Sequence, residues 1–217
     1  IPIIKVDSNF IYFSHIPKCA GTSIENYLSK SSNCSIYFLD RDYYKSNLRN
    51  WTLSSPQHIP GNVIENLFDK NFFSEYFAVI RDPIDRFKSA FIFHQFLKTI
   101  PEEMNCNFFI NDIIEKNYTK QGWLDNHFQP QIKFLVPEKN YKLFLMNKNG
   151  MINLKKYLDQ EILKNDLSFD FPKDNKTPSL DVKKSNLKIN PENILILNNI
   201  YKDDFELIST LKQNEIN

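Results

Sequence analysis

Residues 76–80, Tyr-Phe-Ala-Val-Ile, form an apolar run that stops abruptly at Arg81-Asp82-Pro83. A strand apolar on both faces must be covered on both, as in a parallel sheet with helices on either side. Asp82 is a good N-cap and Pro83 a good first helical residue. The chain is therefore expected to turn from this strand straight into a helix reaching about Leu97. A second junction of the same kind lies upstream. Residues 10–16 read as a short buried strand and 17–22 as a turn. From residue 23 to 28 a helix begins, with Ile24, Tyr27 and Leu28 on one apolar face.

The remaining pattern continues the alternation. Further strands are expected at residues 36–39 and 141–146, and helices at 62–68, 108–117, 153–163 and 203–211. Strands alternating with helices define an α/β fold with a mainly parallel sheet. Residues 43–55 read as an irregular excursion. Residues 165–191, rich in Lys, Asp, Asn, Ser and Pro, read as a long loop or flap. No repeat or low-complexity tract interrupts the chain, and its 217 residues suit one domain, 1–217.

Composition removes several classes. A net charge of +1 gives no general attraction to nucleic acid or anionic membrane. Three cysteines, Cys19, Cys34 and Cys106, make neither a disulfide framework nor a zinc cluster, and point to a reducing compartment. No apolar stretch approaches the roughly 18–20 residues that span a bilayer. No signal peptide is visible. The expectation is a cytoplasmic, soluble enzyme of bacterial type, with an upstream anchor left open because the chain starts at Ile1 without Met.

The chain has only four glycines, and one of them, Gly21, stands in His15-Ile-Pro-Lys-Cys-Ala-Gly-Thr-Ser23. Strand, tight turn and helix start together bind anions: main-chain N–H groups point outward and the helix dipole adds partial positive charge. Gly21 permits close approach of main chain, Lys18 supplies a mobile cation, and Thr22 and Ser23 supply hydroxyls. The loop is not the G-x-x-x-x-G-K-[ST] phosphate loop, because no Gly-Lys pair exists. Arg81, not a lone aspartate, follows the apolar strand, so no residue is marked for holding Mg²⁺. An anion bound without metal is the expectation. The bland alternative is a Pro-Gly turn joining a strand to a helix.

Arg81 sits at the C-terminal end of its strand, where open α/β sheets bind ligands, and a guanidinium there can grip phosphate bidentately. Ser89 lies roughly 9 Å along the helix from Pro83, within the span of one phosphate shared with Arg81. Taken singly, Arg81 reads equally as a partner of Asp82 and Ser89 as a small packing residue. Arg86 reads as structural, paired with Asp82 or Asp85.

Taken together, HIPKCAGTSIENYL resembles the 5′-phosphosulfate loop of sulfotransferases, and FAVIRDPIDRFKSAF resembles their 3′-phosphate element. Their order and separation are similar to the carbohydrate group that includes heparan sulfate 2-O-sulfotransferases, the sulfotransferase family 2 group. The late NIYKDDFELI is similar to that group's C-terminal helix. The resemblance implies a P-loop-like, three-layer α/β fold and the donor 3′-phosphoadenosine 5′-phosphosulfate (PAPS), with adenosine 3′,5′-bisphosphate as product. Lys18, Cys19, Ala20, Gly21, Thr22 and Ser23 would surround the 5′-phosphosulfate, and Arg81 and Ser89 the 3′-phosphate. Cys19 would contribute main chain and no thiol chemistry. A sulfuryl group carries less negative charge than a phosphoryl group, so Lys18 and backbone dipoles would suffice without metal.

A hydroxyl acceptor must lose a proton, and histidine is the natural base near neutral pH. His58, in Ser-Pro-Gln-His-Ile-Pro-Gly, occupies the interval where the resembling family places its base. His127, in the segment 123–131, ranks second. It positions substrate or holds a loop through Asp125 and Gln131. His15 and His94 read as locally satisfied residues, and Glu25 is a further fallback. Residues 41–51 interleave Arg, Lys, Tyr and Trp, which suits sugar rings as well as an exposed face with aromatic anchors. Residues 174–179 read as a solvated loop, or as one folding over the cofactor. The acceptor is expected to be a glycan or small-alcohol hydroxyl. The competing readings are a nucleotide kinase or NTPase on the same core, and an inactive nucleotide-binding interaction module.

Overall fold

The two apolar runs become neighbouring parallel strands, and this adjacency places the site. The computed structural model describes residues 2–40, 52–164, 171 and 187–214. Residues 41–51 and 174–179, singled out above, lie outside the described residues. Five strands, β1 (Ile3–Val6), β2 (Asn9–Ser14), β3 (Cys34–Tyr37), β4 (Glu75–Ile80) and β5 (Lys142–Leu145), form one sheet in the order β3-β1-β2-β4-β5. β2 pairs in parallel with β4, and β4 with β5, while β1 is antiparallel to both β2 and β3. Four of the five strands therefore run the same way, as a mainly parallel sheet requires.

β1 was not expected from the sequence. It is a four-residue strand joined to β2 by a tight turn without glycine, in which Asp7 adopts a left-handed φ of 52°. Aspartate tolerates that conformation better than most residues, so the hairpin needs no Asn-Gly signature. β3 starts two residues earlier than expected.

Helices cover the sheet. α1 (Gly21–Leu28), α2 (Gly61–Leu67) and α3 (Pro83–Phe96) stand where sequence placed them. Asp82 caps α3 by accepting from the N–H groups of Ile84 and Asp85, both at 3.0 Å. The helix expected at 108–117 is a composite. α4 (Cys106–Phe109) passes through a π-helical segment (Ile110–Ile114) into α5 (Glu115–Asn117). α6 (Lys148–Tyr157) begins before its expected start and ends in a second π segment (Leu158–Ile162). α7 (Pro191–Ile200) was missed, although Asn190 caps it and Pro191 opens it, the same device as Asp82-Pro83. Its buried side is sparse, only Asn193, Leu197 and Ile200, so its periodicity is faint. α8 (Lys202–Asn214) closes the described chain.

The core divides about the sheet. Phe77 to Ile80 of β4 are at most 1% exposed and pack with Phe13, Ile24, Tyr27 and Leu158. Phe13 and Phe77, opposite each other in the β2–β4 register, stack at 4.8 Å. A second apolar cluster joins α3 to α4, α7 and the segment around Phe128. Because β2 and β4 are adjacent and parallel, the loops following both emerge at the same sheet edge, where α/β folds bind ligands.

Candidate active site

The loop after β2 folds back on itself through two left-handed residues, Lys18 (φ 67°) and Ala20 (φ 62°). Such conformations cost non-glycine residues energy and persist only where neighbours hold them. Here the Cys19 N–H donates to the Ile16 carbonyl at 3.2 Å, and Arg81 Nη1 donates to the Lys18 carbonyl at 3.1 Å. No side chain caps α1, whose first turn carries N–H groups beyond the reach of intrahelical carbonyls.

Gly21 is required for a reason the sequence did not reveal. Its φ is not left-handed. A Cβ there would instead lie 2.1 Å from His15 Nε2. The His15 imidazole fills the space a side chain would take. It is held by a short hydrogen bond from Nδ1 to Glu25 and by stacking on Phe13.

Arg81 and the loop are joined by Gln131. Its Oε1 accepts from the Arg81 N–H at 2.9 Å and from the Cys19 thiol at 3.4 Å, and its Nε2 donates to the Arg81 carbonyl at 2.8 Å. Gln131 is anchored in turn by Asp204 of α8, which accepts from the Gln131 N–H at 2.8 Å and the Ile132 N–H at 3.0 Å. The sequence offered Gln131 only as a tie for His127. Its role as a clamp between Arg81 and the loop after β2 needed tertiary contacts over 50 and 112 positions.

Arg86 corrects another expectation. Asp82 is committed to the helix cap, and Arg86 turns inward, fully buried. It donates to the carbonyls of His127 (3.0 Å) and Gln129 (2.5 Å) beside the Tyr201 ring. It thereby holds the segment that carries His127 and Gln131.

All four histidines of the chain fall into one buried row. Ring centroids are 5.0 Å apart for His15 and His58, 4.9 Å for His58 and His127, and 4.8 Å for His127 and His94. His58 ends a 3₁₀ turn (Pro56–His58) and is buried, not on an exposed loop. Its Nδ1 lies 2.6 Å from Asp125 Oδ2. Asp125 also accepts from the Ser55 N–H at 2.6 Å and the Ser55 hydroxyl at 2.8 Å. Lys18 reaches the row through Phe93: its Nζ lies 4.0 Å from the Phe93 centroid, and Phe93 lies 5.3 Å from His127. Ser89 is buried one turn before Phe93 on α3, while Ala20 and Thr22 are partly exposed.

Electrostatics follow burial. Desolvation, then the Arg81 charge, lowers the Lys18 ammonium to about 8. Burial pushes the Cys19 thiol up to about 12, which leaves it inert near neutrality. Burial lowers His58, His94 and His127, to about 4 for His94, and for His58 Asp125 pulls the other way. These imidazoles hold a proton less tightly in the folded chain than in the unfolded one, whose ordinary value is 6.5. Their contribution to stability is complete above 6.5 and is lost as pH falls toward the folded values. Each withheld proton is worth about 1.4 kcal/mol per pH unit. The thermal midpoint is therefore expected to fall between pH 6.5 and 5, by about 3–6 °C from His94 alone. Calorimetric scans across that range check this, and a level midpoint down to pH 5 would contradict it.

His58, Asp125 and His127 each offer a metal-ligand atom within 4.8 Å of one another, the group with that geometry among the described residues. Asp125 already accepts three hydrogen bonds, one from His58, so a metal would have to displace the proton that joins imidazole to carboxylate.

A parallel-sheet edge that brings together a glycine-bearing loop, a half-buried lysine, an arginine clasped to that loop and a carboxylate-held histidine gives an α/β protein with a polar site at the end of its strands. The match to the model of the sulfotransferase family over residues 2–208 makes it specific: the chain belongs to that family, and its chemistry is sulfuryl transfer. No curated protein and no solved structure matches the chain. Among the described residues, no helix is long and apolar enough to cross a membrane.

Proposed function

We propose that the protein, as a single catalytic domain, transfers a sulfuryl group from PAPS to a hydroxyl of a carbohydrate or small alcohol, with His58 as general base. The acceptor oxygen attacks sulfur in line, and its proton passes to His58 Nε2. The bond from sulfur to the bridging oxygen breaks, and adenosine 3′,5′-bisphosphate leaves. The Lys18 ammonium meets the charge that builds on the bridging oxygen, a contribution that counts for more in a site shielded from water. Main chain of residues 18–23 surrounds the 5′-phosphosulfate, Arg81 and Ser89 take the 3′-phosphate, and His127 lies on the acceptor side.

The observation that carries this reading is the contact of Arg81 Nη1 with the Lys18 carbonyl. It makes the two nucleotide-binding elements one surface, so a ligand with phosphates at both ends can be gripped at both. The decisive experiment pairs calorimetry with labelled transfer. Adenosine 3′,5′-bisphosphate should bind in the presence of EDTA, more tightly than ATP with Mg²⁺, and Arg81→Ala should weaken that binding. Label from [³⁵S]PAPS should pass to at least one member of a panel of glycans and small alcohols. Tighter binding of ATP with Mg²⁺, or no binding of the bisphosphate, overturns the reading.

A further inference from the structure

His127 Nε2 faces Asp125 Oδ2 at 3.8 Å, beyond hydrogen-bond reach. Its Nδ1 is paired instead with His94 Nε2 at 2.9 Å, so His127 does not compete for the carboxylate.

Asp125 is thus reserved for His58. A carboxylate only accepts, so the proton in the 2.6 Å contact sits on His58 Nδ1. The Ser55 N–H and hydroxyl fix both carboxylate oxygens in place. The Asn126 side chain donates to the His58 carbonyl at 2.9 Å and ties the 3₁₀ turn to the same segment. The groups facing His58 are Asp125, His15 and His127, and only Asp125 favours the protonated ring.

We propose that Asp125 is a positioning residue for sulfuryl transfer: it holds the His58 proton on Nδ1, leaves Nε2 bare to take the acceptor's proton, and stabilises the imidazolium that results. The pairing of His127 with His94 serves this arrangement by holding the His127 ring beyond hydrogen-bond reach of the carboxylate. The inference rests on His58 as base. It adds that the base works only in one tautomer, imposed from 67 residues away in sequence.

Two measurements test it. In the intact protein with adenosine 3′,5′-bisphosphate bound, ¹⁵N-histidine NMR should show His58 protonated at Nδ1 and bare at Nε2 near pH 7.5, with the Nδ1 proton far downfield. Protonation of His58 at Nε2 in the wild type overturns the proposal, whether or not any variant folds. The second measurement is turnover of [³⁵S]PAPS with water as acceptor. Asp125→Asn should lower kcat by about 10²–10⁴-fold, as expected when a base is left in the wrong tautomer. Its KM for PAPS should stay within about threefold, its acid limb should move to lower pH, and Asp125→Glu should recover part of the rate. Loss of bisphosphate affinity in parallel with kcat, with an unmoved pH profile, would make Asp125 merely structural and overturn the proposal. Full turnover in Asp125→Asn, with turnover lost in His58→Ala, overturns this inference alone. Full turnover in His58→Ala removes the base assignment and this inference with it.

Discussion

Replacing His58 by alanine is expected to reduce sulfuryl transfer by about 10²–10⁴-fold, the usual contribution of a positioned general base. Affinity for adenosine 3′,5′-bisphosphate should change little. The residues proposed to bind the nucleotide lie on the loop after β2, on Arg81 and on α3, and none takes a hydrogen bond from the His58 ring among the described contacts. The fold should survive, because Asp125 keeps both donors from Ser55. The measurement is single-turnover transfer from [³⁵S]PAPS beside calorimetric titration of the bisphosphate. A rate within threefold of wild type would move the base to another group. Glu25 is a poor substitute, since it is buried and already bonded to His15.

The second large effect concerns stability. Arg86→Met should cost about 3–5 kcal/mol, the range for breaking a buried charged arrangement by removing one partner. The carbonyls of His127 and Gln129 lose their donors, and the buried Asp204 carboxylate loses a neighbouring cation that favours its charged form. At this chain length the thermal midpoint should drop by roughly 6–20 °C. Burial raises the Asp204 carboxyl above its ordinary value, and Arg86 opposes that rise. The folded state therefore holds the proton more tightly than the unfolded chain, and stability declines as pH climbs between the two values. Removing Arg86 lifts the folded value further, so the penalty should be larger at pH 8 than at pH 5. Paired denaturant melts of wild type and variant at both pH values measure this, and a penalty equal at the two would refute the electrostatic part.

Much of this protein was legible as a string of residues. The apolar run before Arg81, the Asp82-Pro83 cap and the strand–turn–helix around Gly21 are local features, so the α/β class, α1, α3 and the loop between β2 and α1 were all readable. Elements with weak local marks were not. β1 is four residues long and turns on an aspartate. α7 buries one thin stripe, and the π segments shift registers that periodicity assumes constant. Arg86 was read as a partner of Asp82 or Asp85 because sequence shows only near neighbours, and the burial that turns it inward is a tertiary fact.

The amino-acid order alone determined where the main helices and strands start, because caps, turns and apolar runs act over a few residues. Only the folded chain decided that four scattered histidines meet edge to face in one row, that Asp125 grips His58, and that Gln131 locks the loop to Arg81. Those contacts join positions 33 to 112 residues apart, and packing of the sheet and its covering helices, not any local preference, brings them within hydrogen-bond range.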